Sequence, residues 1–226
     1  MPCRSVPTRK VQYGKIKNVM QIAISGNIGA GKTELTKLLA KHFGWRAVYG
    51  PTEENPYLGS FSEDMRRWSF NMVMHSLYAN FSQLSDLQEA GCDFIKDRSL
   101  FDDARVFAPN LQSMGLMTTR DLTTYTSMFE LVYSLLPKPD LLIYLHADVP
   151  TLIKHIQKRG REYENSIRLD YLTNLNDRYE QFADEYEGKM LVVDTVENDF
   201  VENRAVLGDI INKIDAARGG LFAYQG

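Results

Sequence analysis

Eight residues near the start of the chain have the types and spacing to hold a polyphosphate: Gly26-Asn27-Ile28-Gly29-Ala30-Gly31-Lys32-Thr33. The pattern is a glycine, four residues, then Gly-Lys-Thr. Glycines let the backbone wrap so that successive N–H groups point inward at phosphate oxygens. A helix starting near Gly31 adds the positive end of its dipole. Lys32 then reaches the β- and γ-phosphates, and the Thr33 hydroxyl becomes a ligand for Mg²⁺. The chemistry implied is a grip on ATP, or another nucleoside triphosphate, together with its metal. The competing account is a glycine-rich turn with an exposed lysine; an apolar strand before the motif and a helix after it argue against that.

Two further groups of residues extend the same chemistry. Asp97-Arg98-Ser99 closes a short apolar segment, and an acidic residue at the end of a strand next to a phosphate loop sits beside the metal. Thr33 and Asp97 are therefore the candidate metal ligands. Arg98 has the donors to steady phosphate charge in pairs, where the alternative is a salt-bridged turn. Lys158-Arg159-Gly160-Arg161-Glu162-Tyr163-Glu164 follows a helical stretch, and its mixed charge and glycine suit a lid that lays Arg159 and Arg161 over a transferring phosphoryl group. A solvated charged helix end is the other reading of that segment. His42, His75, His146 and His155 are scattered without metal-ligand spacing, and Cys3 and Cys92 make neither a disulfide framework nor a metal site. A reducing, cytoplasmic setting is expected.

These residues need a framework, and the chain alternates strand-like with helix-like segments, as parallel βαβ units do. Strands are expected at 19–25, 46–49, 93–97, 140–146 and 189–194, and helices at 33–43, 62–90, 119–136, 149–158, 169–186 and 201–217. In the first helix Leu35, Leu38, Leu39, His42 and Phe43 share one stripe. The resulting fold class is α/β, a five-stranded parallel sheet flanked by helices with a lid after the fourth strand. One domain is expected over residues 19–218, with a basic arm at 1–18 and a tail at 219–226. The chain has 226 residues, enough for one sizeable core. Twenty-six basic against 29 acidic residues give a net charge of −3, which does not suit a nucleic-acid binder. No apolar run approaches the length that spans a bilayer. Residues 1–17 carry five basic side chains, no acidic ones and no apolar core, so they do not read as a secretory signal.

Taken in order, ISGNIGAGKTELTKLLAKHFGW, ENPYL, KDRSLFDDA, PDLLIYLHADVP and KRGREYE resemble the deoxynucleoside kinase family, particularly its bacterial members, across most of the chain. The resemblance implies a dimer that moves the ATP γ-phosphoryl group to the 5′-hydroxyl of a deoxynucleoside. It implies that Lys32 and Thr33 contact phosphate and metal, that Asp97 and Arg98 form the family's acidic-Arg-Ser motif, that Arg159 and Arg161 are lid arginines, and that Glu164 holds the sugar 3′-hydroxyl.

The chain departs from that family on the acceptor side. Gly50 stands where similar kinases carry a glutamate that serves as general base, and glycine cannot take a proton. Ser62 falls at the position of a sugar-binding tyrosine, and Val73 at that of a glutamine that pairs with the base edge; valine removes both a donor and an acceptor. Glu53, Glu54 and Asp97 are the carboxylates that could stand in for the missing base, Glu53 being the tentative choice. Three readings stay open: an active nucleoside kinase, a catalytically impaired relative that binds nucleotide and works through a partner subunit, and a kinase of another small acceptor such as a nucleoside monophosphate. The expected partners are a small-molecule nucleoside and a second copy of the chain, with a heterodimer as the alternative, and neither membrane nor nucleic acid.

Overall fold

In the computed structural model the described residues are 19–51, 54–160, 168–196 and 200–222, with side chains described as far as 217. Five parallel strands form one sheet: β1 (Gln21–Gly26), β2 (Arg46–Val48), β3 (Phe94–Asp97), β4 (Leu141–His146) and β5 (Met190–Asp194), in the order β2-β3-β1-β4-β5. The two apolar segments that read as buried on both faces, β1 and β4, lie side by side in its middle. This is the behaviour of parallel strands covered by helices on both sides.

Alternation along the strands separates two faces. Ile22, Ile24, Ile95, Leu141, Ile143 and Leu145 pack with Leu35 and Leu39 of α1 (Lys32–Phe43), Leu152 of α6 (Val149–Arg159), and Ile210 and Ile214 of α8 (Arg204–Phe222). On the other face Phe94 meets Val73, Leu77, Leu84 and Leu87 of α3 (Met65–Ala90) and Tyr125 and Phe129 of α5 (Thr119–Tyr133). Ala23, Leu142 and Tyr144 meet Leu175, Tyr179 and Phe182 of α7 (Leu169–Glu185). The carboxyl ends of all five strands share one edge, where ligands bind in open α/β sheets.

Some expectations shift. The helix expected to open at Ser62 is two helices, α2 (Leu58–Glu63) and α3, because Asp64 leaves the helical region at φ −141° and its side chain accepts the Arg67 N–H at 3.0 Å. Asp64 is the cap, and Ser62 lies in the last turn of the preceding helix. In α1 the buried stripe is Leu35, Thr36, Leu39 and Ala40, whereas His42 is exposed. The segment after Asp97, where the sequence predicts no element, forms a π-helical turn, Asp102–Phe107, continuing into α4 (Ala108–Ser113). The closing helix begins three residues later than expected, at Arg204, and runs on to Phe222.

Candidate active site

The phosphate loop leaves the end of β1 and enters α1 with backbone that glycine alone adopts readily. Gly26 has φ +145° and Gly31 φ +92°. A Cβ on Gly26 would lie 2.8 Å from the Leu145 carbonyl oxygen, and one on Gly31 would lie 2.9 Å from the Phe200 ring. The loop is fastened from outside by residues that carry no motif. Asn27 donates to the Leu172 carbonyl at 3.2 Å and to Asn176 Oδ1 at 3.0 Å, and its own Oδ1 accepts the Ile28 N–H at 2.8 Å. His155 Nδ1 lies 2.9 Å from the Gly29 carbonyl oxygen. A carbonyl only accepts, so Nδ1 carries the proton in that contact. The sequence assigns His155 no role, because no short-range pattern links it to Gly29, which lies 126 residues away.

Lys32 folds back over this loop and donates from Nζ to the carbonyls of Gly26 and Asn27, both at 2.8 Å. Burial and then the Arg98 guanidinium hold its pKa down to about 8. A triphosphate would supply negative charge that this ammonium lacks. Arg159, in the last turn of α6, is near enough to depress Lys32 further by its charge.

Thr33 and Asp97 come together as expected: Thr33 Oγ1 donates to Asp97 Oδ2 at 2.5 Å. One hydroxyl and one carboxylate, beside a loop built for phosphate, form a hard-oxygen donor pair of the kind Mg²⁺ takes, with phosphate oxygens and water completing its shell. Arg98 follows with φ +72°, the left-handed region, which is the one such non-glycine residue among those described. That conformation costs about 1 kcal/mol or more and collects at functional sites. Its N–H donates to the Ile24 carbonyl at 2.9 Å, and its guanidinium lies 3.6 Å from Asp103 Oδ1 and 4.3 Å above the Phe107 ring.

The π-helical turn places two carboxylates under the site that sequence reasoning missed. Asp102 is fully buried; it accepts hydrogen bonds from the Ser25 hydroxyl and, at 2.8 Å, from the Ser99 N–H. It thus ties the root of the phosphate loop to the Asp97-Arg98-Ser99 turn. Asp103 accepts from Asn80 at 3.4 Å. Burial lifts both carboxyls, Asp102 to about 7 against the pull of Ser25, Arg98 and Lys32, and Asp103 against that of Arg98 and Lys96. For Arg98 burial works against the charge, yet Asp103, Tyr179 and the other acids outweigh it and raise the pKa. Lys96, 1% exposed, is pushed down to about 8, again by burial first.

A pH-dependent stability follows from Asp102. Folded Asp102 keeps its proton to higher pH than the unfolded side chain, so its stabilising contribution is complete below about pH 4 and lost as pH rises through about 7. Asp102→Asn removes that titration. The stability of the variant relative to the native chain is expected to rise by about 4 kcal/mol between pH 4 and 7 and level off above. Urea unfolding of the nucleotide-free proteins at stepped pH measures it; a difference that stays flat across that range would contradict the assignment.

On the acceptor side the structure separates the positions read from sequence. Val73 is 5% exposed and packs among Val48, Leu77 and Leu100. Ser62 is exposed and donates its hydroxyl to Leu58 of its own helix at 2.8 Å, so it reaches neither Val73 nor the phosphate loop by any hydrogen bond. Glu54 borders a cleft of about 390 Å³ along α3, with Pro51, His75, Tyr78, Gln83 and Asp86. Glu53, Arg161 and Glu164 lie outside the described residues.

The chain matches the family model "Deoxynucleoside kinase" over residues 22–217. It is 33% identical over 196 residues to a deoxyadenosine/deoxycytidine kinase of Bacillus subtilis (strain 168), covering 85% of this chain and 90% of that protein. It is 35% identical over 191 residues to a deoxyguanosine kinase of the same organism, covering 81% and 90%. A solved structure of deoxyadenosine kinase from M. mycoides, with the products dCMP and a flexible dCDP bound, superposes with a TM-score of 0.77 at 31% identity, over 87% of this chain and all of that one.

Proposed function

Because the chain belongs to the deoxynucleoside kinase family, and is a phosphotransferase of the nucleoside kinase type, we propose that it moves the γ-phosphoryl group of ATP, with Mg²⁺, to the 5′-hydroxyl of a deoxynucleoside in the cytoplasm. The observation that carries this reading is the convergence of Lys32, Thr33, Asp97 and Arg98 at the carboxyl ends of β1 and β3. The loop amides of residues 26–33 hold the polyphosphate, and Lys32 leaves the carbonyls it now bridges to meet the β- and γ-oxygens. Thr33 and Asp97 hold the metal, which when bound neutralises phosphate charge. Arg98, kept cationic by Asp103, steadies the group in transit. Arg159 and Arg161 close over it from the lid, and Glu164 orients the sugar.

The hydroxyl proton must leave as the new P–O bond forms. Three described carboxylates are already engaged, Asp97 by Thr33, Asp103 by Arg98, and Asp102 by Ser25 and Ser99, while Glu54 borders the cleft with Pro51 and His75. Gly50 offers none, and Glu53 is the proposed replacement. Turnover then rests on positioning and electrostatics, which carry most of phosphoryl transfer. A second copy of the chain is the proposed partner, supported by the exposed apolar side chains Tyr78 on α3 and Met128 and Leu131 on α5.

A second reading, a nucleotide-binding relative with impaired catalysis, is favoured by Gly50 and by the burial of Val73 in an apolar cluster. Incubation with γ-labelled ATP and Mg²⁺ across the four deoxynucleosides and their ribo-counterparts separates the two. Labelled nucleoside monophosphate is the expected product. Its absence with every acceptor, while ATP still binds, would replace the first reading by the second.

A further inference from the structure

Lys96 is a buried cation that the transfer chemistry above does not use. It precedes Asp97 on β3, so its side chain leaves the sheet on the opposite face, toward α3. Nζ donates to Gln83 Oε1 at 2.6 Å, and Gln83 Nε2 donates to the Tyr49 carbonyl at 3.1 Å. Two hydrogen bonds thus lead from a buried charge through α3 to the peptide that joins Tyr49 to Gly50. The first is charge-assisted, the stronger kind.

The same turn is tied to α3 from its far side. Asn55 is 4% exposed; its Nδ2 donates to the Met72 carbonyl at 3.1 Å and to Ser76 Oγ at 3.2 Å, and its Oδ1 accepts the Tyr57 N–H at 3.0 Å. The backbone entering Gly50 and the backbone leaving the turn are therefore both pinned to one helix. At the Asn55 end the anchor belongs to the turn itself. At the Tyr49 end it comes from outside, and it carries weight there because β2 stops at Val48 and Gly50 has no side chain with which to hold its place. A lysine buried for packing alone would be replaced without loss by an apolar residue of its shape; here the ammonium donates to Gln83.

We propose that Lys96 and Gln83 act together as positioning residues on the acceptor side, holding the Tyr49–Gly50 backbone in the place from which it faces the acceptor. This rests on the kinase reading above. Neither residue touches phosphate; both act through the Tyr49 carbonyl. Loss of either loosens the turn and weakens acceptor use more than donor use; the Lys96 charge also acts on Asp103 and Asp97, so Gln83, which bears no charge, is the cleaner probe.

The test compares Lys96→Met, Gln83→Leu and the double variant with the native chain, using the deoxynucleoside that the native chain turns over best. Each single change is expected to raise the acceptor KM about tenfold, with the KM for ATP within about twofold. The double variant should be no worse than the more severe single one, because both cut the same relay. Hydrogen exchange should quicken at the amides around Gly50 and stay unchanged in the phosphate loop. Gln83→Leu keeps the test alive if Lys96→Met does not fold. An unchanged acceptor KM, effects that add in the double variant, or equal damage to both substrates would overturn the proposal. A native chain that turns over no nucleoside would overturn the kinase reading and with it the acceptor role; native turnover with unaltered variants overturns this proposal alone.

Discussion

Gly50→Glu is expected to raise kcat for nucleoside phosphorylation by about 10²-fold or more, the range a positioned general base supplies. The expectation starts from the resemblance, which places a glutamate at this position, and from the phosphate side of the site, where Asp97, Asp102 and Asp103 already have partners. Asp97 is bound to Thr33 and would be drawn further toward a metal; Asp103 is held by Arg98; Asp102 is sealed from solvent. A carboxylate at position 50 would stand on the acceptor-side turn without such an engagement. The backbone there is already held, since the Tyr49 carbonyl accepts from Gln83 and Asn55 is locked to α3. Steady-state kinetics at saturating ATP measure the effect. A variant with unchanged kcat and intact ATP binding would mean that another group takes the proton, or that proton removal does not limit the rate.

Lys32→Met is expected to lower kcat/KM by about 10³-fold, the size of effect seen when a preorganised charge at the reacting group is removed. Methionine matches the shape of the stem and loses only the ammonium. The fold should survive, because in the nucleotide-free protein that charge is held at a cost: burial pulls its pKa to about 8. Thermal unfolding without nucleotide is therefore expected to stay level or move upward, while stabilisation by added MgATP disappears. Retention of transfer within about tenfold would mean that another cation, Arg98 or Arg159, carries the phosphate charge instead, since one such interaction is ordinarily worth more than that.

Much of the phosphate half of this site was legible along the chain. Gly26 to Thr33 is a contiguous pattern in which each residue type has a local physical reason, and Asp97-Arg98 announces itself as the polar end of an apolar strand. Alternating strand and helix signals then required a parallel sheet, which brings strand ends to a common edge. The meeting of Thr33 with Asp97 at 2.5 Å follows from that topology. The break at Asp64 was not legible, because Ser62-Glu63-Asp64 contains two good helix caps and the choice between them is made by the packing of α2.

Sequence alone therefore determined the fold class, the proposed phosphate grip and the absence of a side chain at Gly50, since these depend on residue type and on periodicities a few residues long. Only the tertiary structure decided how the Gly26–Thr33 loop and the Tyr49–Gly50 turn are held. Asn27 against Asn176, His155 against Gly29, Ser25 against Asp102, and Lys96 through Gln83 to Tyr49 join residues that lie 149, 126, 77, 13 and 34 positions apart. No local pattern encodes such pairs. They exist because the strand order β2-β3-β1-β4-β5 sets particular helices against particular strand ends, and because polar groups enclosed by that packing need hydrogen-bonding partners.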